Sequence, residues 1–379
     1  MRIAISTDCI QAPVTGIGEY TLRLIEALLD SDDIADLYGY SQAGVGRLTA
    51  VPSVPDPIPH SRGSQPRHRI RQRVRRLSGL LSRHSPLNNM GELVYHEPNY
   101  LPRPFKGPTV VTVHDLSHVH YPACHPRSRV MALDWLLPRA LSQADRVIAV
   151  SHHVARELQT HYGLSAARIH VVHHGVDEGF RALTAQQTVP TLTRYGLEPD
   201  GYILSLATLE PRKNLDRLMT AYEALPGEVR ARWPLVLAGA SGWRTEATRK
   251  RIERLVATGV VRQLGYVPAA DRVALYAGAR AFAYPALYEG FGLPPLEAMA
   301  SGTPVLSSDR SAMPEVAGGA ALAVNPFDVD AIAAGLKRLL MDDSLRRRLR
   351  HDGLARAAGF TWCRCASQTA EAYRQAAAA

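Results

Sequence analysis

Hydrophobic residues in the first half of the chain fall in short runs, each followed by a loop or a helical stretch. The run Ile3–Thr7 predicts a buried strand, and the apolar residues after it recur at helical spacing, at Leu22, Ile25, Leu28 and Leu29. Further runs occur at Leu93–His96, Thr109–His114 and Arg146–Ser151. Strands that alternate with helices predict an α/β fold, with a parallel sheet covered by helices on both faces.

The pattern turns polar over Arg181–Pro199, and a second series of apolar runs then begins. Its members are Gly201–Leu206, Pro234–Gly239, Val260–Gly265, Ala281–Pro285 and Pro304–Ser307. The break predicts one α/β domain over residues 1–190 and another over residues 191–360. Residues 361–379 are helical by composition and too few to form a domain of their own.

Length and composition agree with two globular domains. The chain has 379 residues, 46% of them hydrophobic and 21% charged, and it is longer than a single compact core usually grows. An acid at position 8 interrupts the first apolar run, and no apolar stretch has the length of a bilayer span, so we expect a cytoplasmic protein. The four cysteines are too scattered for a disulfide framework, which predicts reduced thiols.

The formal net charge of +9 indicates an anionic partner: nucleic acid, lipid headgroups or a phosphorylated substrate. Eight arginines and no acid lie within Arg62–Arg83, where apolar residues recur every three to four positions. This pattern is typical of a basic amphipathic segment on an anionic membrane surface, at the inner face of the cell membrane, although a solvated basic loop has the same composition. No aromatic residues interleave to stack bases, so we expect no nucleic-acid partner.

Glycines follow the first predicted strand, in the sequence Thr15-Gly16-Ile17-Gly18. Backbone amides of Gly16 and Gly18 at the start of a helix could approach a pyrophosphate, although a plain tight turn explains the glycines equally well. Thr21 occupies the position of the third glycine of the dinucleotide fingerprint, which argues against an NAD-dependent oxidoreductase.

Two adjacent cations, Arg212 and Lys213, follow the predicted strand Gly201–Leu206 and precede a helical pattern. The carboxyl ends of parallel strands are where open α/β sheets bind their ligands. Cations are disfavoured at a helix N-terminus unless an anion compensates them. The pair therefore predicts a site that neutralises a leaving diphosphate.

Two carboxylates flank a loop rich in glycine and proline, Tyr288–Met299. Glu289 belongs to the loop because the glycines and prolines after it forbid continuous helix, and Glu297 falls in the first turns of the following helix. One ligand could touch both carboxylates, as a nucleotide sugar could with its hexose and ribose hydroxyls. A solvated loop acid and a favourable helix-dipole position are the structural alternatives.

Glu289 and Glu297 resemble the E-x7-E motif of the family 4 retaining glycosyltransferases. The resemblance extends along nearly the whole chain, apart from the basic segment near residues 50–90. The other motifs that carry it are Gly16-Ile17-Gly18, His114-Asp115, Ser151, Gly175-Val176-Asp177, Glu210 to Asn214 and Pro314-Glu315-Val316. Two positions depart from the pattern, the acid Glu19 beside the glycine loop and His174, where the family often has asparagine.

This resemblance implies the GT-B fold, in which two Rossmann-like domains face each other and a C-terminal helix crosses back to the first. Arg212 and Lys213 would hold the diphosphate, Glu289 the transferred hexose and Glu297 the ribose. His114 would line the sugar pocket near the anomeric carbon. The remaining residues of the donor site would be Gly16, Gly18, Ser151, Gly290, Phe291, Gly292 and Leu293.

Same-face retaining transfer, as the resemblance implies it, needs no protein nucleophile, and we expect no metal or other cofactor. Asp328-Val329-Asp330 superficially resembles a metal-binding D-x-D, but its surroundings favour helix capping. The predicted enzyme is a hexosyltransferase that uses a nucleotide diphosphate sugar, with GDP-mannose or GDP-rhamnose favoured over a UDP-glucose-type donor. Its expected acceptor is a glycan or a lipid-linked glycan in lipopolysaccharide O-antigen synthesis. A non-catalytic basic adaptor would leave Glu210–Asn214 and Glu289–Glu297 unexplained.

Overall fold

The structure is a computed structural model that describes residues 1–12, 14–54, 85–240, 242–243 and 245–379. Its internal contacts divide the chain into two compact units. Unit 1 consists of Met1–Leu116, Ala132–Gly175 and Trp362–Ala379, and unit 2 of Ser117–Met131 and Val176–Thr361. The basic segment Arg62–Arg83, with its predicted membrane role, lies outside the described residues.

Unit 1 is built on a seven-stranded sheet in the order β3-β2-β1-β4-β5-β6-β7. All neighbouring strands are parallel except β2 and β3, which form an antiparallel pair. The strands are β1 (Arg2–Ser6), β2 (Asp36–Ser41), β3 (Gly44–Arg47), β4 (Val94–Glu97), β5 (Thr109–Val113), β6 (Arg146–Ala149) and β7 (Ile169–Val171).

Three long helices cover this sheet because each turns an apolar face to it. They are α1 (Gly16–Leu29), α4 (His152–Tyr162) and α14 (Trp362–Ala377). The chain's last helix, α14, packs on α1 and on the central strands, and its Cys365 and Tyr373 are fully buried in the same core as Tyr20 and Leu24. The four cysteines form no disulfide.

Unit 2 contains a six-stranded sheet in the order β10-β9-β8-β11-β12-β13, with every neighbouring pair parallel. The order reverses between β8 and β11, as it does in doubly wound dinucleotide-binding sheets. The strands are β8 (Ile203–Leu206), β9 (Leu235–Ala238), β10 (Val261–Gly265), β11 (Ala281–Tyr284), β12 (Val305–Ser308) and β13 (Leu322–Val324).

Helices of unit 2 bury apolar stripes against this sheet, and Leu218, Leu235 and Leu336 are among the fully buried residues of their shared core. The helix Val329–Met341 begins as predicted, because the Asp328 carboxylate caps it by accepting the Ala331 amide at 2.9 Å. The helices are α2 (Ser117–His120), α5 (Ala185–Arg194), α6 (Leu215–Glu223), α7 (Gly227–Arg232), α8 (Glu246–Ala257), α9 (Ala269–Ala277), α10 (Leu293–Ala300), α11 (Met313–Ala317), α12 (Val329–Met341) and α13 (Asp343–Ala357).

One segment belongs to a different unit from its neighbours in sequence. Residues 117–131 contact unit 2, where Trp243 Nε1 donates to the Cys124 carbonyl at 2.8 Å and the Tyr121 hydroxyl donates to the Leu287 carbonyl at 3.3 Å. The helix α3 (Arg127–Gln143) begins within this segment and has residues in both units. Unit 2 resumes at residue 176, so the domain boundary predicted after residue 190 falls inside it.

Short 3₁₀ turns complete the described secondary structure, at Pro86–Asn89, Pro122–Cys124, Ala166–Arg168 and Pro211–Lys213. None of the helices in the described ranges combines the length and the apolar character that crossing a membrane requires.

Candidate active site

Two loops leave the sheet of unit 2 where its strand order reverses. One follows β8 and contains Arg212 and Lys213, and the other follows β11 and contains Glu289. Loops at the carboxyl ends of the two strands on either side of such a reversal form the usual ligand crevice of an open α/β sheet. The topology therefore brings the predicted cations and the first predicted carboxylate to one place.

Asn214 fixes the loop after β8. Its backbone has φ of 62°, in the left-handed region that asparagine tolerates better than most residues, and it ends the turn Pro211–Lys213. Its side-chain amide donates to the carbonyls of Pro285 (2.9 Å) and Pro326 (2.6 Å). Because these bonds tie the turn to the loops after β11 and β13, the two cations before Asn214 are held in a defined position.

Lys213 is buried and makes two hydrogen bonds through its ammonium. It donates to the Tyr284 hydroxyl at 2.9 Å and to Glu289 Oε1. The Tyr284 hydroxyl donates to the same carboxylate oxygen at 2.9 Å. The three side chains form a closed triangle at the end of β11.

Arg212 lies between two carboxylates. Its Nε donates to Glu210 Oε2 at 2.9 Å and its Nη1 donates to Glu289 Oε2 at 3.0 Å. We call Glu210, Arg212, Lys213, Tyr284 and Glu289 the Lys213 cluster. It contains two cations and two carboxylates. Glu210, Lys213 and Glu289 are buried and the Arg212 side chain is mostly buried, and a protein interior tolerates such charges only when they are paired.

Burial and neighbouring charges act on both titratable partners. Burial lowers the pKa of Lys213, and the adjacent Arg212 charge lowers it further, while Glu289 and Glu210 oppose both effects. Burial works against ionisation of Glu289, but the Arg212 and Lys213 charges outweigh it and hold the pKa of Glu289 below its usual value. The carboxylate is therefore ionised at neutral pH and is paired with both cations.

The backbone of Glu289 is held by two residues of the loop that follows β12. The Glu289 amide donates to Ser311 Oγ at 3.0 Å, and its carbonyl accepts the Ala312 amide at 3.2 Å. Gly292 has φ of 108°, and a Cβ there would lie 2.8 Å from Met313 Sδ, so only glycine fits. Helix α10 begins at the next residue, Leu293, and Gly290 and Phe291 are buried in the loop before it.

Glu297 lies in α10, as predicted, and is buried. The Tyr276 hydroxyl of α9 donates to Glu297 Oε2 at 2.8 Å, and Arg272 Nη1 lies 3.9 Å from its other oxygen. Both neighbours project from one helix at i and i+4 spacing. Neither was predicted from the sequence, because nothing in α9 distinguishes them from an ordinary amphipathic face.

Glycines after β9 let a third loop reach this edge of the sheet. Gly239 has φ of 134°, and a Cβ there would lie 1.9 Å from the Ala207 carbonyl oxygen. A Cβ on Gly242 would lie 2.3 Å from the Leu209 carbonyl oxygen, to which the Gly242 amide donates at 3.1 Å. The loops after β8 and β9 thus approach backbone to backbone, which the sequence analysis missed although Gly239 closes an apolar run.

In unit 1, His114 follows β5, as predicted. Its Nε2 lies 2.8 Å from the Pro98 carbonyl oxygen, and its ring packs edge-on against Tyr20. A carbonyl can only accept, so Nε2 carries the proton. Burial lowers the pKa of His114 to about 4, which makes the ring neutral at physiological pH. Its contact with the transferred sugar stays a prediction.

The other predicted residues of unit 1 have local structural roles. Gly16 and Gly18 are not part of a loop but belong to the first turn of α1, where the Gly18 amide donates to Thr15 Oγ1 at 3.4 Å. A Cβ on Gly18 would lie 3.0 Å from the Cys9 carbonyl oxygen, so close packing explains this glycine. Ser151 caps α4 by accepting the Val154 amide at 3.1 Å. Their contacts with a donor remain predictions.

Comparison with known proteins finds matches along nearly the whole chain. Residues 14–180 match the profile described as Glycosyltransferase Family 4, and residues 195–356 match that described as Glycosyl transferases group 1. The O-antigen chain mannosyltransferase B of Escherichia coli is 36% identical, over 99% of this chain and 100% of that protein.

The chain belongs to the family 4 glycosyltransferases. The serotype-specific mannosyltransferase WbdA of Escherichia coli is 35% identical over 61% of this chain, a match that covers 29% of that longer protein. Membership of the family makes the chain a hexosyltransferase, as predicted.

Solved structures agree on the fold of this family 4 glycosyltransferase. Sucrose-phosphate synthase from Thermosynechococcus elongatus matches it with a TM-score of 0.73 at 24% identity, over 99% of this chain and 98% of that one. At that identity the likeness concerns the fold alone. The fold is GT-B, as predicted, with one Rossmann-like sheet in each unit.

Proposed function

We propose that this family 4 glycosyltransferase transfers mannose from GDP-mannose to a growing glycan in O-antigen synthesis. The relative that it matches from end to end is named an O-antigen chain mannosyltransferase, and WbdA is also named a mannosyltransferase. The structural observation that carries the catalytic part of the proposal is the Lys213 cluster at the reversal between β8 and β11.

Arg212 and Lys213 are the residues to which we assign the donor diphosphate. Tyr284 and Glu289 engage two of the three N–H bonds of the Lys213 ammonium in the described part of the chain, which leaves one for a phosphate oxygen. The Arg212 guanidinium next to it adds a second positive charge and is held in place by Glu210 and Glu289. Cations fixed in this way stabilise the negative charge that develops on a leaving diphosphate.

Glu289 and Glu297 are assigned to the two sugars of the donor. Glu289 is held ionised by Arg212 and Lys213 and accepts hydrogen bonds, so it suits a hexose hydroxyl better than a role in taking up protons. Glu297 would accept from ribose hydroxyls in the way it accepts from Tyr276. The proton of the acceptor hydroxyl then passes to the departing phosphate oxygen during same-face transfer.

No metal ion is needed in this scheme because two protein cations take over the role that a divalent ion would otherwise play at the diphosphate. We also propose that the acceptor is lipid-linked and that the enzyme acts at the inner face of the membrane. The support for this part is the composition of Arg62–Arg83. A variant without that segment should keep activity on a water-soluble acceptor and lose binding to phosphatidylglycerol vesicles.

A ligand panel tests the donor assignment. We expect GDP and GDP-mannose to raise the melting temperature of the full chain in the presence of a metal chelator, and UDP-glucose to leave it unchanged, because only a ligand of the native state stabilises it. The Lys213→Ala variant should lose the shift, whereas Lys250→Ala should keep it, since Lys250 is an exposed lysine paired with Glu246. A shift with UDP-glucose alone would replace GDP by UDP, and shifts that need manganese would refute metal independence.

A further inference from the structure

A cavity of about 470 Å³ lies at the edge of the unit 2 sheet opposite the Lys213 cluster. Its lining includes Asp200, Arg280 and Pro304, which come shortly before β8, β11 and β12. Arg212, Lys213 and Glu289 instead follow β8 and β11. Because all strands of this sheet are parallel, the two groups of residues are at opposite ends of the strands.

The inner wall of the cavity is a network of shared ion pairs. Arg280 is buried and donates to Asp200 Oδ2 at 2.7 Å, to Asp343 Oδ1 at 2.9 Å and to the Leu340 carbonyl at 2.7 Å. Arg346 donates to the same two carboxylates, each at 2.8 Å. Each of the two arginines is therefore hydrogen-bonded to both aspartates. Within the described chain, the buried Nε atoms of Arg280 and Arg346 have no hydrogen-bond partner.

Two further arginines complete the lining. Arg347 and Arg350 are exposed residues of α13 that lie on the same side of the helix as Asp343 and Arg346. Gly302, with φ of 73°, packs against the Arg350 side chain, since a Cβ on this glycine would lie 3.4 Å from Arg350 Cζ. Four guanidinium groups thus line the cavity beside only two carboxylates, which leaves an excess of positive charge.

We propose that this cavity binds a phosphate group. Guanidinium groups match phosphate oxygens geometrically and keep their charge at any physiological pH, and a phosphate monoester carries close to two negative charges. This charge would balance Arg347 and Arg350, while the network around Arg280 holds the wall rigid. The volume is in the range of small-molecule sites. The phosphate group belongs either to a soluble phosphorylated compound or to a lipid headgroup.

Thermal shift of the full chain with inorganic phosphate, at constant ionic strength against chloride, measures this binding. We expect phosphate to raise the melting temperature of the wild type. The variant Arg347→Ala/Arg350→Ala should bind phosphate at least about tenfold more weakly, because each arginine supplies charge-assisted hydrogen bonds. Both residues are exposed, so the substitution leaves the core of unit 2 intact.

Two controls separate the cavity from other phosphate sites. Arg348→Ala removes an exposed arginine of the same helix that does not line the cavity, and it should retain wild-type affinity. Lys213→Ala, which alters the proposed diphosphate site, should also retain the phosphate shift. The proposal is overturned if phosphate has no effect at matched ionic strength, if Arg348→Ala loses as much as the double variant, or if Lys213→Ala abolishes the shift.

Sedimentation with vesicles distinguishes the two sources of phosphate. The full chain is mixed with vesicles of phosphatidic acid and phosphatidylcholine, or of phosphatidylcholine alone, since phosphatidic acid presents a phosphate monoester. Binding that depends on phosphatidic acid and falls in Arg347→Ala/Arg350→Ala, but not in Arg348→Ala, assigns the cavity to a lipid headgroup. A phosphate shift that the double variant loses, together with unchanged vesicle binding, assigns it to a soluble phosphorylated compound.

Discussion

Arg212 Nη1 lies 3.0 Å from Glu289 Oε2, although 77 residues separate the two in sequence. The contact exists because β8 and β11 are neighbours in the sheet while β9 and β10 lie on the far side of β8. Each residue stands in the loop that follows its strand, so strand order alone brings them to one edge. The same arrangement makes Glu289 the counter-charge of both cations.

Replacing Glu289 by glutamine tests this electrostatic role. Glu289→Gln keeps the size and one acceptor oxygen but removes the negative charge that the buried Lys213 ammonium contacts directly. We expect the free energy of unfolding to fall by about 3 kcal/mol, the usual cost of breaking a buried ion pair. Urea unfolding measures this loss of stability. The rate at which the enzyme releases nucleotide from the donor should also fall, by roughly two to three orders of magnitude.

A double-mutant cycle separates the pair from its surroundings. Lys213→Met alone removes one of the two cations paired with Glu289. We expect Lys213→Met/Glu289→Gln to be less destabilised than the sum of the single variants. The coupling should exceed about 1 kcal/mol because the two side chains are in direct contact. Additive effects would show that the pair carries no interaction energy of its own.

The hydrogen bond from Tyr276 to Glu297 leads to a prediction about donor affinity. Tyr276→Phe removes the hydroxyl group that donates a hydrogen bond to Glu297 at 2.8 Å. The Glu297 carboxylate is then no longer held in the position in which we expect it to contact the ribose. The KM for the donor should rise by roughly tenfold, the effect of losing one hydrogen bond to a charged group, with a smaller change in kcat.

Steady-state kinetics measure this split, with Tyr195→Phe as the matched control. Tyr195 also donates to a carboxylate, that of Asp271 at the start of α9, with its hydroxyl 2.7 Å from Asp271 Oδ2. The control should leave KM unchanged. Equal effects of the two variants on KM would remove Glu297 from the donor site.

Strands that read as apolar runs could be predicted from sequence, including the edge strand β10, whereas several short or half-exposed strands could not. The runs Ile3–Thr7 and Thr109–His114 became β1 and β5 with almost the predicted bounds, because parallel strands read as continuous apolar runs. The strands β2, β3 and β7 were missed, since their residues include many polar and half-exposed positions. The strand β13 is only three residues long.

The candidate site could be predicted where motif residues themselves carry charge. Arg212, Lys213, Glu289 and Glu297 were all predicted, and the structure brings the first three into direct contact. Tyr284 was hidden because it ends an apolar run that reads as an ordinary strand. Pairing such a residue with Lys213 requires the strand order, which depends on contacts between distant parts of the chain.

Close approach of two loops predicts that Gly239 cannot be replaced. In Gly239→Ala the new methyl group would collide with the Ala207 carbonyl and force φ of 134° on a residue with a side chain. We expect destabilisation of more than about 2 kcal/mol together with loss of donor binding, because the loop after β8 must move. Gly227→Ala is the control, since a Cβ there meets nothing within 4 Å, and it should be neutral or slightly stabilising.

Buried histidines of unit 1 make stability depend on pH. Burial lowers the pKa of His96 to about 3 and that of His114 to about 4, and the pKa of His174 lies well below 6.5 for the same reason. The unfolded chain takes up these protons near pH 6.5, whereas the folded chain does not. The stabilisation is therefore complete above pH 6.5 and is lost as the pH falls toward 4, by about 1.4 kcal/mol per pH unit for each histidine.

Glu97 acts in the opposite direction, because burial raises its pKa to about 7 from 4.5. Its protonated form stabilises the fold below pH 4.5, and this contribution is lost as the pH rises to 7. The three histidines outweigh one carboxyl, so we expect stability to fall between pH 6.5 and 4.5. Urea unfolding across this range should show a shallower slope in His96→Gln and a steeper one in Glu97→Gln. His351→Asn, at an exposed position, should keep the wild-type slope, and a wild-type slope in His96→Gln would contradict a neutral buried His96.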